Sequence, residues 1–199
     1  MGLFSKSKKE ETTSCCCGGC TPEAMAQAET EKTSAGIKVL GSGCAKCSAL
    51  ELAAQAAAEG DVPVGCVIVR GGEIIARGRN RREEKQSAAS HAEMEALSHA
   101  NAVLRSWRLD DCDLYVTLEP CPMCAGAILN ARIRRVFYGA RDDVMGACGG
   151  VLNLYMENFP RPPQLTGGIC AEECRAVLKT FFSDIRGKNP DSPKQSPTL

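Results

Sequence analysis

The sequence reads SHAE at positions 90–93 and PCPMC at positions 120–124, and these two pieces guide the interpretation of the whole chain. Together they contain one histidine, one carboxylate two residues after it, and two cysteines at C-x-x-C spacing. Each piece follows an element boundary and opens a stretch with the apolar spacing of a helix. We therefore expect residues 48–186 to form one domain that holds the two pieces against each other.

Three side chains in these pieces suit a catalytic zinc ion. Such an ion takes three protein ligands, often histidine and cysteine, and keeps a fourth position for water. His91, Cys121 and Cys124 supply three ligands, and cysteines at i and i+3 in the first turn of a helix face the same way. The helix dipole favours thiolates at that position. The sequence therefore predicts one Zn²⁺ bound by these three residues.

Glu93 need not bind the metal, and it can instead move protons. A carboxylate beside activated water takes a proton and later delivers it to a ring nitrogen and a leaving amine. The order H-x-E followed by P-C-x-x-C is the signature of zinc-dependent nucleobase deaminases. A competing interpretation makes Ser90 and Glu93 a capping box that only fixes the start of a helix. Both roles are compatible, because a capped helix start would also fix where Glu93 points.

Strands alternate with helices around these pieces, which indicates an α/β fold with a largely buried sheet. Gly71 and Gly72 predict a two-residue hairpin turn between the first two strands of the domain. A polar loop is expected from Arg79 to Ser90 and a glycine-bearing loop over 142–150. We predict strands at 62–69, 73–78, 113–118 and 134–138, and helices at 48–59, 91–104, 122–131 and 171–185.

Several further motifs resemble the bacterial tRNA adenosine deaminase family across residues 49–186. They are VPVG at 62–65, GRNR at 78–81, HAE at 91–93, TLEPCPMCAGAI at 117–128 and GARD at 139–142. The resemblance implies a cytidine deaminase-like fold, with three α/β/α layers and a central mixed sheet, and a homodimer. It also implies hydrolysis of adenosine to inosine at the wobble position of a tRNA anticodon loop, with release of ammonia.

The same resemblance assigns roles to individual residues. It implies that zinc is bound by His91, Cys121 and Cys124 and that Glu93 is the proton shuttle. Asn80 matches the substrate-contacting asparagine of the family, and Val64 is a second expected substrate contact. The chain departs from the family at 143–146, which read DVMG where a basic residue is common.

RNA binding by this chain depends on local cations, because 24 basic and 24 acidic residues give a net charge of zero. One arginine cluster is expected either to contact phosphates or to form a solvated surface; it consists of Arg77, Arg79, Arg81 and Arg82. A second cluster leads directly into a predicted strand and is expected to be structural; it consists of Arg132, Arg134 and Arg135.

The two ends of the chain are poor in large apolar residues, so 1–35 and 187–199 are expected to be disordered. Residues 36–47 predict a strand, a glycine turn and the pair Cys44 and Cys47. This order resembles the start of small thioredoxin-like redox-disulfide proteins. The start of the chain shows no apolar signal sequence, and no stretch is long enough to span a membrane. We therefore expect a cytoplasmic protein with reduced thiols.

Two alternatives to tRNA deamination remain open. The same zinc site could deaminate a free nucleobase or nucleotide of the guanine or cytosine type. Alternatively, the chain could be a thiol-redox or metal-binding protein that acts through Cys44, Cys47 and the cysteine cluster at 15–20. The second alternative predicts that Cys44→Ser abolishes activity while Glu93→Ala has no effect, which separates it from deamination.

Overall fold

The computed structural model describes residues 44–188. Their elements form an α/β domain in which helices and strands alternate, as the sequence predicts. In chain order the elements are α1 (Ala45–Ala58), β1 (Gly65–Arg70), β2 (Glu73–Arg79), α2 (Arg82–Lys85), α3 (Ala92–Leu104), β3 (Cys112–Leu118), α4 (Pro122–Asn130), β4 (Arg135–Ala140), a 3₁₀ turn (Leu154–Met156), β5 (Gln164–Thr166) and α5 (Ala171–Lys188).

The five strands form one mixed sheet in the order β2-β1-β3-β4-β5. β1 pairs antiparallel with both β2 and β3, and Cys66 faces Val116 in the β1–β3 register. β3 pairs parallel with β4, and β4 pairs parallel with β5. These directions bring the start of β1 and the ends of β2, β3 and β4 to the same edge of the sheet. The hairpin turn at Gly71 and Gly72 lies at the opposite edge.

Helices cover both faces of the sheet, which gives the predicted three layers. One apolar cluster joins the sheet to α3 and α4 and includes Ile68, Leu114 and Ile128. The other joins the opposite face to α1 and α5 and includes Leu50 and Leu178. Burial of both faces explains why β1 and β3 read as nearly continuous apolar runs.

Two glycines allow helices to approach the sheet closely. A Cβ at Gly65 would overlap the carbonyl oxygen of Ala49 in α1. A Cβ at Gly78 would overlap the carbonyl oxygen of Ala92 in α3. Because α1 and α3 lie on opposite faces, any side chain at either position would push a helix away from the strands.

The structure differs from the predicted elements in several places. β1 begins at Gly65 instead of position 62, and α5 continues to Lys188, two residues into the tail that was predicted to be disordered. α1 begins at Ala45, three residues before the predicted start, with Cys44 at its N-cap. The predicted polar loop after β2 contains the short helix α2, whose first turn is capped by a distant carboxylate. β5 has only three residues and was not predicted, because a strand so short has no readable periodicity. The predictions for 1–35, for most of 36–47 and for 189–199 fall outside the described residues.

Within residues 44–188, no helix combines the length and the apolar character needed to cross a bilayer.

Candidate active site

The pieces SHAE and PCPMC meet at the edge of the sheet where β3 ends. His91 is the N-cap residue of α3 and Cys121 is the N-cap residue of α4, both with extended backbone conformations. Pro122 occupies the first turn of α4, where its fixed φ suits a helix start. Cys124 follows in that first turn. The starts of two helices therefore converge on one point.

The three predicted ligand atoms form a compact cluster. Nδ1 of His91 lies 3.7 Å from Sγ of Cys121 and 3.6 Å from Sγ of Cys124. All three atoms lie within 4.8 Å of one another. Tetrahedral zinc with ordinary Zn–S and Zn–N bonds would separate sulfur and nitrogen by about 3.6 Å. The donor set and the spacing therefore fit one zinc ion.

Electrostatics within the cluster favour a thiolate. The pKa of the Cys121 thiol is lowered to about 4, first because Cys124 donates a hydrogen bond to it and second because His91 does. The pKa of Cys124 is raised by the same hydrogen bond to Cys121 and by burial. The pKa of His91 is raised, chiefly by its hydrogen bond to Cys121. The cluster thus concentrates negative charge on sulfur, the form that binds metal.

Glu93 lies beside this cluster and is almost completely buried. Burial raises the pKa of its carboxyl group to about 7, a hydrogen bond within its own residue opposes that shift, and the charge on Cys121 raises it further. A carboxyl group whose pKa is near neutral can both accept and release a proton under ordinary conditions. The geometry and the chemistry of Glu93 therefore suit proton transfer.

The capping-box interpretation of Ser90 and Glu93 is wrong. The N-cap of α3 is His91, and no side-chain hydrogen bond caps this helix. Ser90 lies one residue before the cap, so Glu93 occupies the second helical position instead of the third that a capping box requires. Glu93 is therefore placed by the burial of the first turn of α3, and Ser90 helps through its backbone, whose carbonyl oxygen accepts the N–H of Arg81 at 3.0 Å.

A pocket of about 260 Å³ opens over His91, Glu93 and Cys121. The two predicted substrate-contacting residues, Val64 and Asn80, also line it. Nδ2 of Asn80 donates to the Val62 carbonyl oxygen at 3.3 Å. Its Oδ1 is buried and accepts no hydrogen bond from any described residue. Five of the six predicted site residues therefore line the same pocket, and the sixth, Cys124, is fully buried behind it.

The pocket also contains residues that were not predicted to belong to the site. Four of them belong to the segments that follow α1, β3 and β4; they are Asp61, Glu119, Asp142 and Met145. Asp61 is fully buried and accepts backbone N–H groups of Glu83 and Glu84, so it fixes the start of α2. Glu119 had one weak signal in the sequence, because it directly precedes the Pro-Cys pair that contains a predicted zinc ligand.

The arginines of the two predicted clusters differ in their ion-pair partners. Arg79 pairs with Glu59 and Glu84, and Arg81 pairs with Glu84. Arg82 lines the pocket, and no carboxylate of residues 44–188 lies within ion-pair distance of it. In the second cluster, Arg134 and Arg135 both bind the buried carboxylate of Asp113, which supports the structural role expected for them.

Comparison with known proteins places this geometry in a family. Residues 44–140 match the model of the cytidine and deoxycytidylate deaminase zinc-binding region. The chain is 43% identical over 147 residues to a tRNA-specific adenosine deaminase of Bacillus subtilis, covering 73% of this chain and 91% of that protein. The chain belongs to the tRNA-specific adenosine deaminase family. This membership accounts for the histidine, the two cysteines and the glutamate at one pocket.

Solved structures agree with membership of the tRNA-specific adenosine deaminase family. One, from work on A-to-I editing by tRNA:A34 deaminases, has a TM-score of 0.63 at 41% identity and covers 65% of this chain and 95% of its own. A guanine deaminase of Nitrosomonas europaea has a TM-score of 0.60 at 26% identity, and the match covers 83% of this chain and 94% of that protein. The predicted cytidine deaminase-like fold is therefore confirmed. The thioredoxin-like resemblance of residues 36–47 finds no support in these comparisons.

Proposed function

We propose that this protein is a zinc-dependent hydrolase that converts adenosine to inosine at wobble position 34 of a tRNA and releases ammonia. The observation that carries the proposal is the His91, Cys121 and Cys124 cluster with Glu93 beside it, at the floor of a pocket. The 43% identity to a tRNA-specific adenosine deaminase names the substrate class. The structural relative from work on tRNA:A34 deaminases supports the wobble position.

His91, Cys121 and Cys124 would hold one zinc ion, which supplies an activated water molecule at near-neutral pH. Glu93 takes a proton from that water through its carboxylate. Glu93 would deliver that first proton to the purine ring nitrogen, then take the second proton from the hydroxyl group added to the base and pass it to the leaving amine, so both protons are accounted for and the carboxylate returns to its starting state. Burial of Glu93 keeps bulk water from competing for this proton.

Asn80 and Val64 would hold the base over the floor of the pocket. The buried Oδ1 of Asn80 accepts no hydrogen bond from residues 44–188, so it is available to accept one from a nucleotide. Val64 is 8% exposed and offers an apolar contact beside it. Together they orient the base so that its amino-bearing carbon faces the reacting water.

An adenine stacked inside RNA cannot reach this floor, so the nucleotide has to be splayed out of its loop. A space of about 260 Å³ is near the lower limit of small-molecule sites, roughly 300 Å³. The base therefore enters the pocket while its phosphates stay at the opening. Arg82 is exposed at that opening and is the pocket-lining cation best placed to contact a phosphate.

A second candidate is deamination of a free base, because the guanine deaminase relative has a similar TM-score. The deciding experiment gives the zinc-loaded protein an anticodon stem-loop with adenosine at the wobble position, and separately free guanine and free cytosine. We expect inosine only in the stem-loop. A stem-loop with guanosine at the wobble position is the matched control and should not react. Conversion of guanine without inosine formation would establish the second candidate instead.

We propose a homodimer as the working form. Six of the ten large apolar side chains exposed on residues 44–188 fall in the single segment 144–159; they are Val144, Met145, Val151, Leu152, Met156 and Phe159. A concentration of exposed apolar side chains on the surface of a folded domain is typical of an interaction site. We expect sedimentation equilibrium to give twice the monomer mass, and Leu152→Glu to give the monomer mass. A monomer in the unsubstituted protein at micromolar concentration would contradict the dimer.

The proposed substrate also bears on location, because an enzyme that modifies tRNA has to share a compartment with it. We propose that the protein acts in the cytoplasm. The thiol-redox hypothesis for the cysteines at 15–20 and for Cys44 and Cys47 stays a prediction, and most of that stretch lies outside the described residues.

A further inference from the structure

Glu119 is a buried carboxylate that takes no direct part in the proposed proton transfers. It lies two residues before Cys121 and is 2% exposed. No arginine, lysine or histidine of residues 44–188 forms an ion pair with it. Its carboxylate instead accepts three backbone N–H groups, from Asp142 at 3.1 Å, Cys148 at 2.8 Å and Gly150 at 2.7 Å.

All three donors belong to one loop, residues 142–150, which we call the wall loop. Asp142 is at its start, and Cys148 and Gly150 are near its end. One carboxylate therefore ties the two ends of the wall loop together. Hydrogen bonds to a charged acceptor are stronger than those between neutral groups, and burial strengthens them further.

The wall loop is packed around this carboxylate. A Cβ at Gly146 would overlap the carbonyl oxygen of Asp142 and would lie 2.5 Å from Cδ of Glu119 and 2.6 Å from its Oε1. A Cβ at Gly150 would lie 2.9 Å from Oε2. Such distances are too short for real contacts, so the two glycines leave the space that the carboxylate fills. The sequence of the loop and the position of Glu119 are thus adapted to each other.

The order imposed by Glu119 extends to the pocket. Oδ1 of Asp142, whose own N–H is held by Glu119, accepts the N–H groups of Val144 at 2.9 Å and Met145 at 3.1 Å. Asp142 and Met145 both line the pocket over the zinc cluster. A displacement of the loop would therefore move one wall of the substrate site. The loop also donates the N–H of Ala147 to the carbonyl oxygen of Pro120 at 2.9 Å, beside Cys121, so zinc content has to be measured together with KM.

We propose that Glu119 is a positioning residue that fixes the wall loop and through it the part of the site that holds the nucleotide. This inference rests on the proposed function, because the nucleotide in question is the wobble adenosine. Glu119 acts on binding and not on the metal, since it is not a member of the ligand cluster. Glu119 also lines the pocket, and its effect on the position of the loop reaches the substrate through Asp142 and Met145.

The test is Glu119→Gln, which preserves shape and removes the charge. The amide group of the new side chain would face the N–H of Asp142, so one hydrogen bond is replaced by a repulsive contact. We expect KM for the stem-loop to rise about tenfold, equivalent to about 1.4 kcal/mol, while kcat falls by less than about threefold. Zinc content should remain at one per chain, and the N–H group of Asp142, which loses its acceptor, should exchange faster with solvent.

Gly146→Ala keeps the proposal testable if Glu119→Gln folds poorly. Its methyl group would crowd both the Glu119 carboxylate and the carbonyl oxygen of Asp142 without changing residues 119–121, so the contact between the carboxylate and the loop is disturbed from the loop side and KM should rise in the same way. Asp111→Asn is the matched control, because Asp111 is an exposed carboxylate paired with Arg70 at the opposite edge of the sheet. It should leave KM within about twofold, as surface ion pairs contribute little.

The outcomes separate this inference from the proposed function. Loss of zinc with unchanged KM would show that Glu119 supports the ligand segment and would overturn the inference. Unchanged KM in Gly146→Ala would overturn it as well. Failure of the unsubstituted protein to form inosine would refute the proposed function alone, because the hydrogen-exchange measurement still reports whether Glu119 fixes the loop. Protection of the Asp142 N–H that survives in Glu119→Gln would overturn the inference independently of activity.

Discussion

Replacing Glu93 by Gln is expected to lower the rate of inosine formation by about 10² to 10⁴, the contribution of a well-placed general acid–base group. This substitution removes only the ability of the side chain to carry a proton. The side chain keeps its size, and burial already disfavours the charged form of Glu93, whose pKa is raised to about 7. The fold and the zinc content should therefore be preserved. Single-turnover rates with zinc analysis on the same sample measure both.

Glu95→Gln provides a control on the same helix. Glu95 lies two residues further along α3 and forms an ion pair with Lys85 at 2.7 Å. Its loss should change the rate by less than about twofold, because it neither faces the pocket nor contacts the cluster. If Glu93→Gln retained more than half of the original rate, another group would have to move the proton, and the proposed mechanism would be wrong.

Replacing Cys124 by Ala should remove both the bound zinc and the activity. Cys124 is fully buried behind the pocket, and the two remaining ligands cannot supply the three that a catalytic site needs. Without the ion there is no activated water, so inosine formation should fall below detection, a loss of at least about a thousandfold. Zinc per chain, measured by atomic absorption, should fall from one to near zero.

Cys112→Ala is a control for Cys124→Ala, because it removes a buried thiol that is not a zinc ligand. Cys112 in β3 is as completely buried as Cys124 but belongs to the apolar cluster instead of the zinc site. It should lower stability modestly and keep zinc at one per chain.

Removing zinc from the unsubstituted protein with a chelator should reproduce the inactivity of Cys124→Ala, and added zinc should restore activity only to the unsubstituted protein. Full activity in zinc-free protein would contradict this account.

The central chemistry of the site could be predicted because it is carried by short local patterns. His91 and Glu93 are two residues apart, Cys121 and Cys124 are three apart, and each pair is placed by the start of one helix. Local spacing then fixes the geometry within each pair. The alternation of strands and helices and the hairpin at Gly71 and Gly72 were predictable for the same reason, since periodicity and turn chemistry are local properties. The three layers were expected from the family resemblance.

The parts that could not be predicted depend on contacts between distant segments. Asp61 holds α2 across 22 positions, and Glu119 holds the wall loop across 23 to 31 positions. In the sequence each is one acidic residue among many. No clear local pattern marks a carboxylate that will accept buried backbone N–H groups from a distant segment. The start of α1 was misplaced for a similar reason. Cys47 and Ser48 are buried there by packing, which overrides the weak signal of the C-x-x-C pair.

The strand directions place the pocket and the β1–β2 hairpin turn at opposite ends of the sheet. The pocket lies at the edge where β3 and β4 end, and the turn at Gly71 and Gly72 lies at the other. Both glycines have positive φ angles and open space around the position of a Cβ. An affinity tag, a fluorophore or a tether to a solid support could be inserted in this turn, because exposed loop tips accept such additions. An immobilised enzyme joined there would present its pocket to the solution.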